Sequence, residues 1–143
     1  MKIASSALAL ALMLLAGGCA APPMRTMDTA PCNHGICKAE VSVWNCSKGY
    51  ITVKDDPIEI PNSQSLPKNI EWTIVTDDYK FVADGIVVDP GSRGFSGGHV
   101  TGNGKKFTLH DGGDLGIHKY TVKVVRESDG TACLPKDPYI LNR

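Results

Sequence analysis

Short runs of alternating apolar and polar residues fill the chain from Cys37 onward. Ala39, Val41 and Val43 alternate with Lys38, Glu40 and Ser42. Ile51 and Val53 flank Thr52, and Ile58 and Ile60 flank Glu59. Ile70, Trp72 and Ile74 alternate with Glu71 and Thr73; Tyr120, Val122 and Val124 alternate with Thr121, Lys123 and Val125. A repeat of two sends successive side chains to opposite faces, which predicts half-buried strands. Residues 85–89 (GIVVD) read as a short buried strand, and Tyr139 and Leu141 close the series. Turn residues separate the runs at Asp55-Asp56-Pro57, Pro61-Asn62-Ser63, Asp89-Pro90-Gly91 and Asp129-Gly130. Gly102-Asn103-Gly104 predicts a tight hairpin between His99–Thr101 and Lys105–Leu109, because Asn and Gly accept positive φ. Nothing after residue 31 keeps helical spacing. The pattern therefore predicts an all-β fold: one small antiparallel β-sandwich over residues 32–143, with about seven to eight strands.

The first 31 residues have a different pattern. Lys2 precedes an uncharged run, Ala7 to Ala16, that is too short to span a membrane as a helix. This run has the form of an export signal over residues 1–18. It ends in Leu14-Leu15-Ala16-Gly17-Gly18-Cys19, which resembles the lipobox of bacterial lipoproteins. Ala16 stands where leucine is usual. The resemblance implies a diacylglyceryl group on the Cys19 thiol, cleavage before Cys19 and an acylated new N-terminus. Several acyl chains on one residue anchor firmly, at about 0.8 kcal/mol per buried methylene. Ala20, rather than aspartate, after the lipidated cysteine implies an outer-membrane address facing the periplasm. An ordinary secretory signal cut after Ala20 is the rival. Residues 19–31, with Pro22, Pro23 and Pro31 and no apolar period, read as a lipidated start and flexible tether.

Cysteine counting bears on the same point. The chain has five: Cys19, Cys32, Cys37, Cys46 and Cys133. A lipid on Cys19 leaves four, an even set for two disulfides in an oxidising compartment. Four cysteines allow three pairings; Cys133 is expected to pair with one of the other three. Charge excludes other classes. The chain has 15 basic and 15 acidic side chains, and loss of Lys2 leaves one acid in excess. Such a balance gives no steering toward nucleic acid. The remaining ~125 residues suffice for one core.

Asp114-Leu115-Gly116-Ile117-His118-Lys119-Tyr120 resembles the D-x-G-x-Y-x-C stretch of immunoglobulin-like domains, with His118 in the place of the corner tyrosine and Tyr120 in that of the cysteine. GIHKYTVKVV followed by DPYILN also resembles small exported β-proteins of bacteria. Those resemblances imply an immunoglobulin-like or cupredoxin-like sandwich and no activity. A blue-copper site needs histidines and usually methionine near a late cysteine. After Cys133 come only LPKDPYILNR, and Met1, Met13, Met24 and Met27 all precede the domain.

His110, Asp111, Asp114 and His118 fall within nine residues and are the candidate ligands for zinc or copper(II). The same Asp-Gly-Gly-Asp stretch also suits a solvated turn. Cys32-Asn33-His34-Gly35-Ile36-Cys37 offers thiolates and an imidazole, but outside the cytoplasm a disulfide is expected, and the spacing is not C-x-x-C. Gly94-Phe95-Ser96-Gly97-Gly98 satisfies G-x-S-x-G, yet that motif requires a strand–turn–helix that is not predicted here. His99 and Lys106 break the phosphate-loop pattern around Gly104-Lys105. Trp44 and Trp72 are core candidates, and an exposed Trp44 would instead mark a binding patch. The expectation is a lipid-anchored envelope protein without enzymatic activity or cofactor. Its partners would be the membrane, through the lipid, and an envelope protein or glycan. The alternative is a periplasmic copper or zinc protein using His110 and His118.

Overall fold

The computed structural model describes residues 32–61 and 68–143. The expected signal over 1–18, the lipidated Cys19 and the tether over 19–31 lie outside the described residues. Ten strands form: β1 Cys32–Asn33, β2 Ile36–Asn45, β3 Tyr50–Val53, β4 Ile58–Ile60, β5 Lys68–Ile74, β6 Tyr79–Val88, β7 Phe95–Thr101, β8 Lys106–Asp111, β9 Gly116–Arg126 and β10 Tyr139–Asn142. They build the expected all-β sandwich. One sheet runs β2-β5-β8-β7, with β1 and β3 sharing the other edge of β2; the second runs β4-β10-β9-β6.

Two points depart from an antiparallel sandwich of seven or eight strands. β2 pairs with β5 in parallel, and β4 with β10 in parallel. After the β2–β3 hairpin the chain crosses to the other sheet for β4, then returns as β5 in the direction of β2. Alternation reveals a strand's faces but not its neighbour's direction. One of the extra strands is β1, two residues at the start of the domain. His34 (φ 50°) and Gly35 (φ 78°) make the two-residue turn between β1 and β2, a geometry that favours the twist of a hairpin. The predicted hairpin at Gly102-Asn103-Gly104 forms as a 3-10 turn with all three residues at positive φ.

That first turn sets Cys32 directly opposite Cys37, and the two are joined. Cys46, after β2, is joined to Cys133, before β10. All four cysteines of the domain are thus paired.

The core lies between the sheets, where the predicted inward phase of each strand meets its counterpart. Trp72 of β5 and Tyr120 of β9 are fully buried. Trp72 Nε1 donates to Tyr120 Oη at 3.1 Å, a bond that crosses from sheet to sheet. Phe107 meets Trp72 edge-on, with ring centroids 6.5 Å apart.

Burial pushes the Tyr120 phenol far above its ordinary value of 10.0, although the Trp72 hydrogen bond acts the other way. The folded state therefore holds this proton more tightly than the unfolded chain. The contribution is complete below the unfolded value and is lost as pH rises beyond it, by up to about 1.4 kcal/mol per pH unit. Tyr120→Phe is expected to flatten this alkaline decline, followed by urea unfolding between about pH 8 and about pH 11. An equally steep decline in the variant would show that other groups cause it.

Candidate functional site

Strand alternation separates the residues marked for a metal. Phe107, Leu109 and Asp111 point into the sandwich from β8, so His110 points out. His110 Nδ1 lies 3.4 Å from Asn69 Oδ1 on the outer face. Asp111 is buried instead. Its Oδ1 accepts from Gly113 N at 2.8 Å and from Asn142 Nδ2 at 3.2 Å. Asn142 Nδ2 and His118 Nε2 both donate to the Asp114 carbonyl, each at 2.8 Å. His118 thereby makes the bond to upstream backbone that a corner tyrosine makes in immunoglobulin-like domains.

This cluster ties β8 in one sheet to β10 in the other and closes one end of the sandwich. Asp111 Oδ2 and Asn142 Oδ1 are buried and find no hydrogen-bond partner among the described residues. Two oxygens fall short of the roughly six to eight that calcium takes. Among the described residues no group of three or more His, Cys, Asp or Glu side chains is arranged to hold a metal ion.

Ser96 lies inside β7, opposite His110, rather than at a strand-to-helix turn. It is exposed on an open sheet face, and no hydrogen bond joins it to His110 among the described residues. The geometry that makes G-x-S-x-G a nucleophile elbow is therefore missing.

The outer face of the four-stranded sheet carries an apolar depression of about 280 Å³, lined by Pro57, Ile117, Tyr139 and Leu141. Apart from the phenol of Tyr139 its lining is apolar, with no charged or amide side chain to orient a ligand. Beside it the face is charged and cross-paired: Lys119 with Asp137 at 3.0 Å, Lys123 with Asp84 at 2.7 Å. The Lys123 hydrogen bond holds the Asp84 carboxyl below the usual carboxylate range. Such pairs on a solvated face contribute little, about 0–1 kcal/mol each.

The outer face of the six-stranded sheet differs. Ala39, Val41 and Val43 face inward on β2, so Trp44 takes the outward phase and is 76 % exposed. It sits where the β2–β3 register slips by a bulge, a device that re-aims side chains. Its indole is held: Nε1 donates to Thr52 Oγ1 of β3 at 3.2 Å. Tyr50 shares the outward phase of Thr52 and is 59 % exposed; Val75, just after β5, is 52 % exposed. Three neighbouring strands, β3, β2 and β5, thus present Tyr50, Trp44 and Val75 toward one end of one face.

Polar residues continue from this end along the same strands. Ser42, Glu40 and Lys38 succeed Trp44 on β2, and Lys54 lies past Thr52 beyond β3. Lys54 Nζ reaches Glu40 Oε2 at 3.9 Å. Lys38, Glu40, Lys54 and Asp55 enclose a shallow depression of about 170 Å³. The sequence flagged Trp44 but missed Tyr50 and Val75. The signal was present, since each stands one residue out of step with an inward run: Ile51 and Val53 for Tyr50, Ile70 to Ile74 for Val75.

No protein-family model matches the chain, and no curated protein matches it in sequence.

Proposed function

We propose that the protein is a non-enzymatic binding module of the cell envelope, anchored by lipid on Cys19 and facing its partner with the Trp44 surface. The observation that carries the binding half is Trp44. A large apolar ring held by a hydrogen bond, with Tyr50 and Val75 exposed on the same face, leaves apolar surface that a partner would cover. The anchor is supported by the lipobox-like run and by the disulfides. With Cys32, Cys37, Cys46 and Cys133 paired among themselves, Cys19 is the one cysteine left over, as lipidation requires. Two disulfides also suit an oxidising compartment. Ala20 favours the outer membrane, with the domain in the periplasm.

Two measurements test the halves separately. Mass spectrometry of the mature N-terminus is expected to find an acylated Cys19; an unmodified Cys19, or a start at Ala21, overturns the anchor. A photocrosslinker at Ser42 is expected to capture an envelope partner in cells, whereas one at Lys123, on the other sheet, is not. Trp44→Ala should abolish the Ser42 product. Equal capture from both faces, or capture indifferent to Trp44→Ala, overturns the assigned surface.

A further inference from the structure

Resting on the binding role of this surface, we infer that its ligand is an uncharged glycan chain, laid along β2 and β3 from Trp44 toward Lys38. Three features of the surface set that chemistry.

The first is the aromatic platform. An indole whose face is open and whose edge is tied to Thr52 presents a flat apolar surface in one orientation. Sugar rings carry C–H groups on one face, and the electron-rich face of an aromatic ring attracts the positive edges of such groups. A ring already held loses little freedom on binding.

The second is the polar row beyond the platform. Outward residues of β2 step from Trp44 through Ser42 and Glu40 to Lys38, six residue steps that span about 20 Å of extended strand. This is an open track for several sugar rings in file rather than a pocket for one small molecule. Its walls offer carboxylate acceptors and ammonium donors side by side, and vicinal hydroxyls can both donate to the former and accept from the latter.

The third is charge. Lys38 and Lys54 are offset by Glu40 and Asp55 around the depression, and Glu40 and Lys54 are already a loose pair. A polyanion, an acidic peptide or a basic one would each meet two like charges beside two opposite ones, and so gain no net attraction. A neutral, hydroxyl-rich chain meets no repulsion. The balanced charge suits an uncharged ligand and gives no steering toward nucleic acid or anionic lipid.

Trp44 itself supplies the readout. Trp72 is fully buried, so a water-soluble fluorescence quencher reaches only Trp44. The domain with both disulfides intact is titrated with oligomers of β-1,4-linked N-acetylglucosamine, with a neutral α-glucan, with heparin and with phosphatidylglycerol vesicles. At least one neutral oligosaccharide is expected to shield Trp44 from acrylamide. Trp44→Phe should bind with modest loss, and Trp44→Ala at least about tenfold more weakly, the equivalent of about 1.4 kcal/mol. Glu40→Gln should weaken binding without altering the fold.

Shielding by heparin or the vesicles, but by no neutral sugar, would overturn the glycan. So would the absence of shielding by any sugar at millimolar concentration. If Trp44→Ala still abolished the Ser42 crosslink in cells, the binding surface would stand with a protein as its partner. If neither result depended on Trp44, the proposed function would fall together with the glycan.

Discussion

Cys46→Ala with Cys133→Ala is expected to lower stability by about 4–5 kcal/mol, close to the whole reserve of many small domains. The bond spans 87 residues in sequence, so it closes nearly the entire domain into one loop. In the chain-entropy account, a cross-link stabilises by limiting the unfolded ensemble, and the effect grows with the logarithm of loop length. Local packing adds to this. Cys46 and Cys133 are both buried, and Leu134 N donates to the Cys46 carbonyl at 3.1 Å. A side chain at Gly49 would come within 3.0 Å of Leu134 Cβ, so this segment sits close against the β2–β3 turn. Losing the bridge loosens Cys133 and Leu134 from that turn as well as opening the loop, while backbone bonds at Thr131, Cys133, Lys136 and Pro138 still hold the segment to β9.

The second bridge provides the control. Cys32 and Cys37 are five residues apart, and the same account assigns them only about 2 kcal/mol. Urea unfolding of both double variants checks the pair. The Cys46/Cys133 variant should also show a steeper denaturant slope, because its unfolded chain exposes more surface. If the two variants lost equal stability, loop length would not be the governing quantity.

Trp72→Ala is expected to cost about 3–5 kcal/mol, and Trp44→Ala less than about 0.5 kcal/mol. Trp72 lies on β5, between β2 and β8. Its parallel neighbour Ala39 is small and also inward-facing, which leaves room for the indole. The ring packs 5.3 Å from Tyr120 and meets Phe107 edge-on. Removing it opens a cavity at the centre of the sandwich and leaves the buried Tyr120 hydroxyl without its donor, two penalties that add. Trp72→Phe keeps much of the volume and should fall between the two. Thermal melts of the three variants read these differences. A loss for Trp44→Ala as large as that for Trp72→Ala would make Trp44 structural and remove the reason to seek its partner.

The two tryptophans show what one-dimensional pattern can carry. Both lie in alternating runs. Trp72 is in step with Ile70 and Ile74 and goes inside; Trp44 is one residue out of step with Val41 and Val43 and goes outside. The same phase puts Asp111 in the core and His110 on the surface, which divides the metal candidates that close spacing had joined. Spacing within nine residues says that side chains are near in sequence. Strand geometry sends adjacent ones to opposite faces.

The sequence alone thus determined that the domain is an all-β sandwich, which positions face inward, where Gly102-Asn103-Gly104 turns, and that the cysteines after Cys19 form an even set. These come from side-chain period, backbone freedom and counting, all of them local. Tertiary structure alone decided that β5 returns parallel to β2 and that Cys133 meets Cys46. It also decided that Tyr50, Trp44 and Val75 share one end of one face. Those depend on which strands become neighbours. That is set by how the chain crosses between sheets to bury its apolar faces together, and no local period encodes it.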